Sequence, residues 1–231
     1  MKRSFIFCTS YIDSEYTYTN RYKKWYNYYR NRFDVPIFFI DDASTFELDS
    51  QIFNFNTEVC DPLKINFHTF KNHLGRPGDF YLPGWARSFF YSLEIANKFK
   101  FDTIIHIESD LFVLNDNLIS YIQNIETGWT TLWCKKYQCA ETSCQIIGKD
   151  QFQTFKNTEI KYKQIVDKYN LPNMTRDDVL ALPNPNPVVI EHMLPYTLIN
   201  KEFNGDRYGE SNLDITSDMD FYAQFPTTKN I

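Results

Sequence analysis

The apolar residues of this chain fall into short runs set apart by polar punctuation, and the runs have two kinds of spacing. Arg3–Thr9, Val35–Ile40, Ile65–Phe70 and Thr103–Ile107 are brief, largely apolar and rich in β-branched or aromatic residues. Runs of this length bounded by polar clusters predict buried strands; the third is the weakest. Longer stretches predict helices at Tyr16–Phe33, Ala86–Phe99 and Lys149–Tyr169. In the second of these Phe89, Leu93 and Ala96 recur at three-to-four-residue spacing, the signature of one buried helical face. Thr130–Cys134 and Cys144–Ile147 predict two further strands. Pro77-Gly78 and Pro83-Gly84 are turn signals, and Asn184-Pro185-Asn186-Pro187 punctuates the chain before Val188-Val189-Ile190. Alternating strands and helices predict an α/β fold, a mostly parallel sheet flanked by helices. The pattern is regular over residues 1–115 and mixed over 116–231, within one domain of 231 residues.

Composition narrows this picture. At 43% apolar residues the chain can bury a sizeable core, which excludes wholesale disorder. The 16 Tyr, 21 Phe and 4 Trp exceed what a core alone uses, so some rings are expected to line grooves. A net charge of −5 and a pI near 5.4 argue against a nucleic-acid partner. No apolar run reaches the ~18 residues of a membrane span, and the basic start is followed by too short an apolar stretch for a signal peptide. A cytoplasmic protein is expected. Cys134, Cys139 and Cys144 lack paired short spacings and read as thiols. Residues 1–33 carry seven Lys/Arg against Asp13 and Glu15; such a basic aromatic helix is either a solvated face or a contact for the anionic inner face of a membrane.

Chemistry is expected where strands end. In open α/β sheets ligands bind beyond the carboxyl ends of the strands. Three acidic segments fall there: Asp13 after Thr9 and Ser10, then Asp41-Asp42, then Glu108-Ser109-Asp110. Two acids set among apolar residues are costly unless paired or metal-bound, and carboxylates at i and i+2 can point the same way from an extended strand end.

Phe39-Ile40-Asp41-Asp42-Ala43-Ser44-Thr45 resembles the second-strand motif of GT-A glycosyltransferases. Gly84-Trp85-Ala86-Arg87-Ser88 resembles their Ala-Arg-Asn helix start, and Glu108-Ser109-Asp110 sits where they carry an Asp-x-Asp metal motif. The resemblance covers residues 3–115 and departs from the pattern at Glu108. It implies a GT-A fold and a metal-dependent hexosyltransferase, with Mn²⁺ or Mg²⁺, a UDP- or GDP-sugar donor and a glycan or lipid-linked acceptor; a role in surface-polysaccharide or viral glycan synthesis is an extension of it, since the Asn/Lys/Ile/Tyr/Phe-rich composition suits an AT-rich genome of either kind. Thr9, Ser10, Asp41, Asp42, Arg76, Arg87, Glu108 and Ser109 would then serve the donor. Asp110 would be the metal ligand, with His192 as a second. A divalent ion stabilises the charge of a departing nucleoside diphosphate, and arginines near a helix start add fixed positive charge.

The second half must supply the acceptor side. Trp133 and Tyr137 offer rings against which sugars pack, and Arg207 lies in a polar loop between Gly205 and Gly209. Glu141, Glu191 and Asp206 are the candidate bases. Two rival readings stand beside this one. A sugar nucleotidyltransferase would show a Gly-rich stretch near residue 10, where Ser10–Glu15 has no glycine. A non-catalytic glycan-binding module would need neither metal nor nucleotide.

Overall fold

Period-two alternation along the first strand decides the architecture. The computed structural model describes residues 3–78, 80–184, 188–207 and 219–224. Strand β1 (Ser4–Ser10) points Phe5 and Phe7 to one face of the sheet and Ile6 and Cys8 to the other. Both sets are fully buried, so both faces must be covered. A large eight-stranded sheet runs in the order β3-β4-β2-β1-β5-β8-β7-β9. Its members are β2 (Ile37–Asp41), β3 (Phe53–Asn54), β4 (Ile65–Thr69), β5 (Thr103–Ile107), β7 (Trp129–Cys134), β8 (Cys139–Gly148) and β9 (Leu198–Asn200). Within this sheet every described pairing is parallel except those of β8, which runs against both β5 and β7. A three-stranded sheet joins β6 (Phe112–Val113), β10 (Gly205–Arg207) and β11 (Phe221–Ala223).

Helices cover both faces. On one, Trp25 and Tyr29 of α2 (Lys23–Arg30) and Leu118 and Ile122 of α4 (Asp116–Asn124) pack on Ile6, Phe39, Ile105 and Ile107. On the other, α3 (Pro83–Phe99) and α5 (Phe152–Tyr169) pack on Phe5, Phe7, Phe38 and Ile104. Phe89 of α3, Phe155 of α5 and Trp129 of β7 meet edge-on at about 5 Å between ring centres. Shorter helices are α1 (Glu15–Thr17), α6 (Arg176–Leu180) and α7 (Ile190–Met193). No helix of the described residues is long and apolar enough to cross a membrane.

Two details depart from expectation. Pro83-Gly84 is not a turn but the first turn of α3, because proline lacks only an N–H that a helix start leaves unused. The first helix is not one regular α-helix. Between α1 and α2 the segment Tyr18–Tyr22 is π-helical, with the Lys23 N–H donating to the Tyr18 carbonyl five residues back.

Candidate functional site

Because β1, β2, β4 and β5 are parallel, their carboxyl ends share one edge of the sheet, and a cleft of about 400 Å³ opens there. Thr9, Ser10, Asp42, Arg76, Glu108 and Ser109 line it, so the structure brings together most of the expected donor-side residues. A smaller recess of about 180 Å³ shares Arg21, Leu82, Trp85 and Glu108 with this cleft and adds Asp110 and Glu141. The two form one continuous site running from Asp42 to Glu141.

Asp42 anchors the outer end. Its carboxylate accepts the N–H groups of Leu74 and Gly75, the latter at 2.7 Å, and pairs with Arg87 and with His73 at 2.9 Å. Arg87 also donates to the Asn72 carbonyl at 2.7 Å and lies over the Phe70 ring. It braces Asp42 from behind and lines a groove between α3 and α5, not the cleft. Tyr11 stacks on His73 at 3.9 Å beside this anchor. Asp41 faces away. It is fully buried and accepts from Ser10, Ser44 and Thr69, which fixes the turn after β2. Burial pushes its carboxyl above the ordinary range against the pull of these hydrogen bonds.

The second acidic segment does not continue the strand. β5 ends at Ile107, and the Leu111 N–H donates to the Glu108 carbonyl at 3.0 Å, closing a turn. Glu108 and Asp110 therefore reach the recess through different neighbours instead of pointing alike from an extended end. Glu108 lies against α3, where Trp85, Thr9 and His106 hold it, His106 at 2.9 Å and Thr9 at 3.0 Å. Burial raises its pKa, but the His106 charge and these hydrogen bonds outweigh burial, and its carboxyl sits below the ordinary value. His106 is wholly buried among Phe7, Phe89 and Trp85.

Asp110 turns toward the π-helical segment. Arg21 Nη2 donates to Asp110 Oδ2 at 2.9 Å, and Arg21 Nε donates to Ser109 Oγ at 2.7 Å. Desolvation pushes the Asp110 carboxyl up, Arg21 pulls it down, and Glu108 and Glu141 push it up again; the net direction is upward. Glu141, on β8, is 1% exposed and accepts from the Ser143 N–H and hydroxyl. Among the described lining residues of the recess, three carboxylates face one cation, Arg21.

Of the remaining expectations, those among the described side chains lie away from the cleft lining. Asp206, on β10, is buried and paired with Lys136 at 3.1 Å. Lys201 covers the ring of Trp133, and Tyr137 is exposed beside Lys136. His192 is exposed on α7. The side chains of Glu191 and Arg207, and Gly209 with the loop after it, lie outside the described residues. Sequence reasoning did not single out Arg21, Tyr11, His73 or His106 for the site. By sequence Arg21 belongs to the basic segment 1–33, which reads as a solvated or membrane-facing helix.

No protein-family model and no curated protein matches the sequence. A solved glycosyltransferase involved in the glycosylation of the major capsid of PBCV-1 aligns over 96% of this chain and 93% of its own, with 12% identity and a TM-score of 0.47. The glycosyltransferase GlyE of Streptococcus pneumoniae aligns over 77% of this chain and 42% of its own, with 12% identity and a TM-score of 0.44.

Proposed function

We propose that the chain is a GT-A type glycosyltransferase that moves a sugar from a nucleoside diphosphate donor to a hydroxyl of a glycan or lipid-linked acceptor. The observation that carries this reading is the cleft at the parallel strand ends, with its adjoining recess, where Asp42, Glu108, Arg21–Asp110 and Glu141 follow one another. In this reading the nucleoside lies against Tyr11 and Asp42, and the diphosphate lies toward Ser109 and Arg21. Transfer breaks the bond between the anomeric carbon and the β-phosphate oxygen, which keeps the electron pair. The acceptor oxygen forms the new bond, and its proton passes to a carboxylate, for which Glu141 is the described side chain at the inner end. Arg21 meets charge on the departing phosphate.

The donor set also decides how a divalent cation would be held. Among the described residues no three His, Cys, Asp or Glu side chains form a ready metal cluster. The recess offers hard carboxylate oxygens, those of Asp110 and Glu141, with Glu108 beside them. That fits an ion that takes one or two carboxylates and completes its shell with diphosphate oxygens and water. When bound, it would act as a Lewis acid on the diphosphate.

A thermal-shift panel of nucleotide sugars with and without Mn²⁺ tests the reading. Any ligand of the native state raises the apparent melting temperature. One nucleotide sugar is expected to raise it, more so with Mn²⁺. A shift with nucleoside triphosphates alone would favour a nucleotidyltransferase, and no shift with any nucleotide would sink the donor site.

A further inference from the structure

Arg21 is the one residue that belongs to both parts of the cleft and also holds the acid assigned to the cation. Its guanidinium carries five N–H donors, of which Nε is used on Ser109 and one on Nη2 is used on Asp110. The other donors have no partner among the described residues. The side chain is 35% exposed, so it stands at the boundary between the protein and the cleft. Its backbone lies in the π-helical turn Tyr18–Tyr22, and Tyr22 behind it is buried and accepts the Tyr11 N–H. Single π turns inside helices recur at functional sites because they re-aim a side chain.

Resting on the nucleotide-sugar reading above, we infer that Arg21 is a built-in stand-in for the cation at Asp110. The guanidinium sits on the carboxylate oxygen that a divalent ion would take. An ion that takes Asp110 Oδ2 competes with Arg21 for that oxygen, so binding of the ion weakens the Arg21 pair and favours release of the guanidinium. The arriving diphosphate supplies the new partner, since a guanidinium forks onto phosphate as readily as onto carboxylate. Ion and diphosphate thus bind together more tightly than either binds alone, a coupling carried by one side chain. The arrangement also pairs the partly buried Asp110 carboxylate with a cation of the chain itself.

The test is Mn²⁺ titration by calorimetry on the whole chain, wild type against Arg21→Gln, with and without a nucleoside diphosphate. Without nucleotide, Arg21→Gln is expected to bind Mn²⁺ about tenfold or more tighter than wild type, since a charge-assisted pair no longer competes. Replacing Asp110 by Asn in the Arg21→Gln background should abolish that gain. The nucleoside diphosphate should strengthen Mn²⁺ binding in wild type by a larger factor than in Arg21→Gln. Arg21→Lys, which keeps the charge, should resemble wild type and guards against a folding artefact. Equal Mn²⁺ affinity in wild type and Arg21→Gln would overturn the inference while leaving the donor site standing. Failure of wild type to bind any nucleoside diphosphate even with Mn²⁺ would overturn the donor reading itself, and the role of Arg21 with it.

Discussion

Glu108 shows how one residue can be costly in isolation and stable in place. A carboxylate buried against α3 survives because Thr9, Trp85 and His106 all donate to it. Its pKa lies below the ordinary value of 4.5, so the fold favours the ionised form. The stabilisation is therefore present above that ordinary value and is lost as pH falls through the lower folded value. Glu108→Gln is expected to lower stability at neutral pH by about 1.5–3 kcal/mol, the range for hydrogen bonds to a charged group. In denaturant unfolding that deficit should shrink as the pH drops below 4.5; a deficit unchanged at low pH would mean that packing, not charge, accounts for it. Asp41 titrates in the opposite sense, its stabilising share being lost as pH rises through its raised value. That share is common to both proteins. Glu108 was legible as a strand-end acid, but its partners were not. Thr9 is 99 residues away in the chain, and nothing local announces that Trp85 will lean onto it.

At the scale of elements, the start of α3 does most to shape the outer cleft. Pro83 sets the first turn, and Gly84 follows at a point where its N–H reaches the Gly75 carbonyl at 3.1 Å. A Cβ on Gly84 would run into the Asp42 carboxylate. Gly84→Ala should therefore displace Asp42 from Arg87 and from the Leu74 and Gly75 N–H groups. A loss of about 1–3 kcal/mol is expected from such overpacking, together with weaker nucleotide binding in a calorimetric titration. Unchanged affinity would remove Asp42 from the nucleoside site. The helix itself could be read from the recurrence of Phe89, Leu93 and Ala96, whereas its first turn was hidden by a dipeptide that marks turns elsewhere. The π turn was harder still. Arg21 sits among aromatic residues in a basic segment, and only the meeting with Ser109 and Asp110, some 88 residues on, turns it inward.

Across the whole molecule, the parallel half follows closely from its apolar runs, because strands buried on both faces leave little ambiguity of type. β1, β2, β4 and β5 lie within a residue or two of expectation. The second half does not read this way. β9, β10 and β11 have three residues each, too few to carry a period, and β9 and β11 pair with strands distant in sequence. Acceptor-side assignments suffered accordingly: Glu141 reaches the cleft through the long strand β8, while Asp206 is committed to Lys136. The proposed function requires that one cleft bind a nucleoside diphosphate sugar and cleave its anomeric bond. The most direct measurement is release of nucleoside diphosphate from a panel of sugar nucleotides with Mn²⁺ and a mixed glycan acceptor, comparing wild type with Asp110→Asn. One donor is expected to be turned over, and the variant, still folded, to be slower by about a hundredfold or more, the scale of losing a group that stabilises transition-state charge. No turnover of any donor by folded wild-type protein, or equal rates in the two proteins, would contradict it.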